Sequence, residues 1–206
     1  MVYVVDHPLI LAELTGMRDR TCPGPEFRQR LRRIASLMVP AVTADFETKV
    51  VSCETPLEVT SGQKAARRII LTPILRAGLG FLDGFFDLLP DAAVAHIGLA
   101  RNELTLQPEP YYIKTPPVIA DCEVILLDPM LATGGSAVEA VQRLVDLGAT
   151  HLRFACLVAA PEGIATFEAA WPDVPVFTAS IDRGLNDRGY ILPGLGDAGD
   201  RLFGTI

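Results

Sequence analysis

A chain of 206 residues, half of them hydrophobic, is long enough to bury a substantial core and is expected to form one domain. A net charge of −7 argues against broad nucleic-acid binding, which needs a basic surface, but leaves room for a small anion met by local arginines. The longest apolar runs, such as 124–127 and 154–160, fall far short of the ~20 residues of a membrane span, so no membrane partner is expected.

The opening stretch, MVYVVDHPLILAEL, has no basic leader and carries Asp6 and Glu13 early. It does not read as a secretory signal, and a cytoplasmic location is expected. PEFRQRLRRIASLM (25–38) places Phe27, Leu31, Ile34 and Met38 on one face with arginines opposite, the pattern of an amphipathic helix. TKVVSCETPLEVT (48–60) is β-branched and broken by Pro56, as in a peripheral hairpin.

From residue 67 the pattern changes. RRIILTPIL, AAVAHIGL, CEVILLD, LRFACLVAA and VPVFTASI are short, continuous apolar runs, the signature of strands covered on both faces of a parallel sheet. Residues 80–89 and 161–171 fit crossover helices. SAVEAVQRLVDLG (136–148) is the clearest helix, with Val138, Val141, Leu144 and Val145 as its buried stripe and Gly148 as the residue that ends it. An α/β domain with right-handed crossovers follows. Two segments break this rhythm: ARNELTLQPEPYYIKTPP (100–117) and the glycine-rich RGLNDRGYILPGLGDAGDRLFGT (183–205). Long loops in compact domains are usually functional or disordered. Four cysteines without CxxC spacing and three histidines without HExxH predict buried reduced thiols, with no zinc site or disulfide framework.

The strand 124–127 runs into DPMLATGGSA. Ser136 and Glu139 have the spacing of a capping box, which puts a helix start near Ser136. The amides of 132–136 then lie at a strand-to-helix turn. Gly134 and Gly135 allow close backbone approach and positive φ, and Thr133 and Ser136 add hydroxyls. A phosphate there would meet several N–H groups and the positive end of the helix dipole. On these residues alone, a plain turn and a phosphate cradle both remain open. A Walker loop, GxxxxGK[ST], is absent. GLGDAG (194–199) matches the dinucleotide fingerprint, but only seven residues follow it, leaving no room for the rest of that fold. Residues 78–84 space their glycines wrongly for the same motif.

LLDPMLATGGSA resembles the diphosphoribose-binding loop of type I phosphoribosyltransferases, in the variant of the uracil phosphoribosyltransferases, where a proline follows the first acid. The resemblance extends to TPILRAGLGFLDG, RNE (101–103), LVAAPEGI, TASIDRGLN and GYILPGLGDAGDRLFGT, nearly the whole chain. It implies a single-domain type I phosphoribosyltransferase fold over 1–206, a mostly parallel sheet flanked by helices. The core spans about 67–182, a β-arm about 100–117 and a C-terminal base-binding hood about 183–206. The implied reaction transfers 5-phosphoribosyl from phosphoribosyl pyrophosphate (PRPP) to uracil, giving UMP and pyrophosphate. It also implies Mg²⁺ held mainly by substrate oxygens, since Pro129 cannot ligate, a homodimer or higher homo-oligomer, and GTP as a candidate activator.

Carried onto this sequence, the resemblance makes Arg76, Arg101 and Asp128 catalytic: Arg76 at the pyrophosphate, Arg101 on a closing arm, Asp128 at the ribose hydroxyls. PRPP would also meet Pro129, Met130, Leu131, Ala132, Thr133, Gly134, Gly135, Ser136 and Asp197. Uracil would meet Ile191, Gly196, Asp197 and Ala198. The bland readings are a surface salt bridge for Arg76, a solvated loop arginine for Arg101 and a turn cap for Asp128. Tyr111 and Tyr112 read as arm packing. Departures occur at Val39-Pro40, Ala100 and Leu104, touching subunit packing, arm conformation and activation. The competing readings are a silent UMP-binding sensor, a phosphoribosyltransferase for another base, and a dinucleotide oxidoreductase.

Overall fold

The apolar runs beyond residue 67 lie side by side. The computed structural model describes residues 1–101 and 108–205, Arg101 by its backbone alone. In chain order the elements are β1 (Val2–Val4), α1 (Pro8–Arg18), α2 (Gly24–Val42), β2 (Thr48–Glu54), β3 (Val59–Ala65), β4 (Arg68–Leu75), α3 (Leu79–Phe86), β5 (Ala93–Val94), β6 (His96–Arg101) and β7 (Pro108–Lys114). Then follow β8 (Cys122–Leu127), β9 (Met130–Leu131), α4 (Gly135–Asp146), β10 (His151–Ala159), α5 (Pro161–Ala170), β11 (Val176–Ile181), β12 (Gly184–Leu185), β13 (Ile191–Leu192) and α6 (Ala198–Phe203).

The main sheet runs β1-β11-β10-β8-β4-β6-β7, with β5 beside β4 and β9 beside β10. Its pairings are parallel except β6 with β7. Alternation along the strands separates two apolar layers. Ile125, Leu127, Ala155 and Leu157 join α1, α2 and α3 on one side, while Val124, Leu126, Phe154 and Cys156 join α4 and α5 on the other. The sheet is therefore covered on both faces, which is why its strands read as unbroken hydrophobic runs.

Locally, the structure corrects several expectations. Helix α2 is longer than the 25–38 pattern, and Pro40 sits inside it near its end, exposed, while Val39 is in the core. Helix α1, not anticipated, begins with Pro8 at its start and the His7 ring accepting from the Leu9 amide, and buries Ile10, Leu14 and Met17. The 48–60 hairpin is real and extends to Ala65. The 100–117 segment carries the expected β-arm: β7 pairs antiparallel with β6, and Tyr111 packs where Gly98 has no side chain. Leu104 lies outside the described residues. The thiols are all unbridged, but Cys53 is exposed and Cys22 half-buried; only Cys122 and Cys156 fit the buried reading. Among the described residues, no helix is long and apolar enough to cross a membrane.

Candidate active site

In an open parallel sheet a ligand sits beyond the carboxyl ends of the strands, where neighbouring strands send their connections in opposite directions. Here that point lies between β4 and β8. β4 leads through α3 to β6 on one side, and β8 leads through α4 to β10 on the other. The two strands pair directly, up to Pro73 opposite Leu127. The residues that follow them are Arg76 and Asp128, so the topology alone brings the two sequence-predicted side chains to one crevice.

Asp128 donates its amide to the Ala155 carbonyl, and its Oδ1 accepts from the Met130 amide at 3.3 Å. The residue keeps part of its surface exposed, but burial of the carboxyl pushes it up to about 7, against the pull of the Met130 amide. Pro129 and Leu131 are buried and bonded to the sheet through their main chain. The Pro129 carbonyl accepts from Leu157 and Val158, the Leu131 carbonyl accepts from Ala160, and the Leu131 side chain is buried. They fix the loop rather than line it.

The helix start differs from the capping-box expectation. α4 begins at Gly135, with Gly134 as its N-cap in the left-handed region (φ 86°) and no side-chain cap bond. Glu139 instead accepts from the Arg143 Nε at 2.7 Å, one turn on. The two glycines are not equivalent. A Cβ on Gly134 would come 2.8 Å from the Gly163 carbonyl, whereas one on Gly135 would meet only Pro108 at an ordinary 3.8 Å. Thr133 and Ser136 are exposed beside them. The buried stripe of α4 is Ala137, Ala140, Val141 and Leu144; Val138 is half-buried, and Val145, expected inside, is exposed. Gly148 ends the helix as expected, at φ 95°, with the Ala149 amide reaching the Leu144 carbonyl.

Across the crevice, residues 183–203 fold back over it. β12 and β13 pair antiparallel, and the Asn186 side chain accepts from the Arg188 and Tyr190 amides to shape the turn between them. GLGDAG is neither a dinucleotide loop nor a tail: Gly194 and Gly196 have positive φ, and Asp197 caps α6 by accepting from the Asp200 amide at 2.9 Å. Ile191, Leu195 and Leu202 are buried in the core, while Tyr190 and Phe203 are exposed.

A cleft of about 320 Å³ lies between these two sides. Of the residues expected to bind PRPP or uracil, Arg76, Asp128, Met130, Ala132, Ile191, Gly196, Asp197 and Ala198 line it. Ala77, Gly189, Tyr190 and Gly199 also line it; each lies within a motif the sequence singled out but was given no binding role there. Arg76 is more than half exposed, 3.6 Å from the Asp200 carboxylate and over the Phe203 ring at 5.7 Å. The Arg101 side chain lies outside the described residues. A larger groove of about 690 Å³ runs beside β1, but its charged side chains, Asp45 and Asp173, have the wrong sign for a phosphate, and the Met1 ammonium on its lining is paired with Glu168. Among the described residues, no group of three or more His, Cys, Asp or Glu is placed to hold a metal ion.

The family model "Uracil phosphoribosyltransferase" matches residues 4–205. The chain is similar to the uracil phosphoribosyltransferase of Ligilactobacillus salivarius, 51% identical over 203 residues that cover 98% of this chain and 97% of that protein. The uracil phosphoribosyltransferase of Dictyoglomus thermophilum is 52% identical over 206 residues, all of both chains. Among solved structures, the AQ2163 protein from Aquifex aeolicus aligns with a TM-score of 0.93 at 34% identity, covering 98% of each chain.

Proposed function

The chain belongs to the uracil phosphoribosyltransferase family, and from that premise we propose that it transfers 5-phosphoribosyl from PRPP to N1 of uracil, giving UMP and pyrophosphate. The observation that carries this reading is the convergence on one cleft of a strand-end arginine, a strand-end carboxylate, the approach to a glycine-containing helix start, and a main-chain turn.

In the reaction the bond from C1′ to the pyrophosphate oxygen breaks as N1 of uracil bonds to C1′, and the N1 proton passes to the departing pyrophosphate. Positive charge develops on the ribose and negative charge on the leaving oxygens. Arg76 is positioned to hold the pyrophosphate, exchanging its distant contact with Asp200 for substrate oxygens. The N-terminus of α4 takes the 5′-phosphate with backbone amides and the helix dipole, and Thr133 and Ser136 supply hydroxyl donors. Asp128 accepts from the ribose hydroxyls. The sequence resemblance assigns Arg101 to the pyrophosphate as well. The main chain of 191–198 reads the polar edge of the base.

Mg²⁺ fits this cleft as a companion of PRPP. Asp128 is one carboxyl in a site that disfavours its charge, and Pro129 offers no side-chain donor, so substrate oxygens and water would supply most of the coordination. When bound, the ion neutralises pyrophosphate charge. The test is release of pyrophosphate from PRPP that depends on uracil. UMP binding without turnover would point instead to a silent sensor, and turnover with another base but not uracil would reassign the substrate.

A further inference from the structure

The turn proposed to read the base is held from behind by side chains that never reach the cleft. Asp182, 6% exposed, sits at the end of β11. Its carboxylate accepts from both terminal nitrogens of Arg18, at 2.7 and 2.6 Å, from the Ser180 hydroxyl at 2.8 Å and from the Gly194 amide at 2.9 Å. Arg18 in turn donates to the Gly194 carbonyl at 2.8 Å and to Ser180 at 3.2 Å. Both main-chain groups of Gly194 are thus fixed by one ion pair. This is the residue where the turn is tightest: its φ is +57°, and a Cβ would lie 2.2 Å from the Ile191 carbonyl. Arg201 repeats the arrangement in reverse. It lies over the Phe27 ring and donates to the carbonyls of Leu195, Met17 and Asp19, the last two at the carboxyl end of α1.

We infer that Arg18 and Asp182 are positioning residues for uracil, a clamp from the N-terminal helix that keeps residues 191–198 in the shape that recognises the base. The inference rests on the proposed reaction and deepens it. A paired arginine and carboxylate could simply stabilise the whole fold, but this pair bonds the main chain of the turn itself, through a planar fork that lysine cannot reproduce. With the clamp loosened, the turn holds its competent shape for only a fraction of the time, and apparent uracil affinity falls by that fraction. PRPP, held chiefly by the strand ends and α4, is largely spared.

The experiment measures both KM values and kcat for the full chain carrying Arg18→Lys, Asp182→Asn or Ser180→Ala. Arg18→Lys and Asp182→Asn are expected to raise the uracil KM about tenfold, with the PRPP KM within about twofold. Ser180→Ala, which removes one hydroxyl and is the variant most certain to fold, should show the same split at a few-fold. Parallel changes in both KM values, or no change in that for uracil, would overturn the clamp. Hydrogen exchange gives a readout that needs no turnover: amides of 191–198 should exchange faster in the variants while those of 130–136 do not, and equal acceleration refutes the inference. A wild-type chain that makes no UMP would count against the proposed reaction and leave this second readout standing.

Discussion

The two walls of the cleft are built on different principles. The phosphate wall grows out of the sheet: Arg76 and Asp128 extend from β4 and β8, paired strands buried on both faces, and the loop closes directly onto the twelve-residue α4. The hood wall has little regular structure of its own, two paired strands of two residues and a helix of six. Its shape is imposed by arginines, Arg18 reaching it from α1 and Arg201 tying it back to the end of α1. On the proposed reaction, charge would be met where backbone geometry is already fixed by the core. The base would be discriminated by main chain held by distant side chains, so each wall should fail in its own way.

The largest effect tests the hood. Uracil offers a donor at N3 and acceptors at O2 and O4, while cytosine has an acceptor at N3 and a donor amine at C4. Main-chain groups in a turn clamped at Gly194 cannot rotate to suit both, so cytosine would leave buried groups unpaired, a penalty of ~10⁴ or more. Competition between the two bases at equal concentration should yield almost only UMP. Comparable CMP formation would mean an apolar slot, and the contrast between the walls would collapse.

The phosphate wall should answer to charge. Arg76→Ala is expected to reduce kcat/KM for PRPP by roughly 10²–10³, the usual loss when one contact to developing charge is removed. Uracil binding should change far less, and Arg76→Lys should rescue only in part, for want of the planar fork. Initial-rate kinetics with each substrate varied decide this; near-normal turnover in the alanine variant would return Arg76 to an exposed partner of Asp200.

How far each wall could be read in the sequence follows the same division. The phosphate wall is local: strand, acid, glycines and helix occupy one stretch, and its strands announce themselves as apolar runs because both faces are covered. Even there one detail misled. Ser136 and Glu139 have capping-box spacing, but Arg143 one turn further on takes the glutamate, and Gly134 in the left-handed region starts the helix instead. The hood's supports are not local. Arg18 and Asp182 lie 164 positions apart, and nothing near either residue marks the other as its partner. Helix α1 did carry a helical stripe in Ile10, Leu14 and Met17, but its role depends on that remote contact.

A smaller effect separates the two glycines within the phosphate wall. Gly134→Ala places a side chain at φ 86° and within 2.8 Å of the Gly163 carbonyl, and should cost on the order of 1–3 kcal/mol of stability. Gly135→Val leaves the melting temperature nearly unchanged, since there is room at that position, yet blocks the approach of a phosphate to the helix start. Thermal unfolding and UMP binding of both variants make the test. A Gly135→Val variant that binds UMP with unchanged affinity would remove the loop from the site.

The smallest effect sets one carboxylate of each wall against the other, through pH. In the substrate-free fold, burial pushes Asp128 up to about 7, so the native state holds its proton more tightly than the unfolded chain does. The stability it contributes is fully present below the ordinary carboxylate pKa of about 4 and is lost as pH rises through about 7. Asp182 has the opposite sign. Burial raises it, but Arg18, the Ser180 hydroxyl and the Gly194 amide together hold it below the usual range. Its contribution is present above the ordinary carboxylate pKa and is lost on acidification below it. Melting curves without substrate should therefore show Asp128→Asn flattening the decline between about pH 4 and 7, and Asp182→Asn flattening the loss at lower pH, each by a few degrees. These windows barely overlap because the two carboxyls meet opposite surroundings: burial disfavours the charge of Asp128, while Arg18, Ser180 and Gly194 stabilise that of Asp182. If both asparagine variants flattened the same side of the curve, the two acids would share one environment, and the division between a charge-handling wall and a clamped one would be wrong.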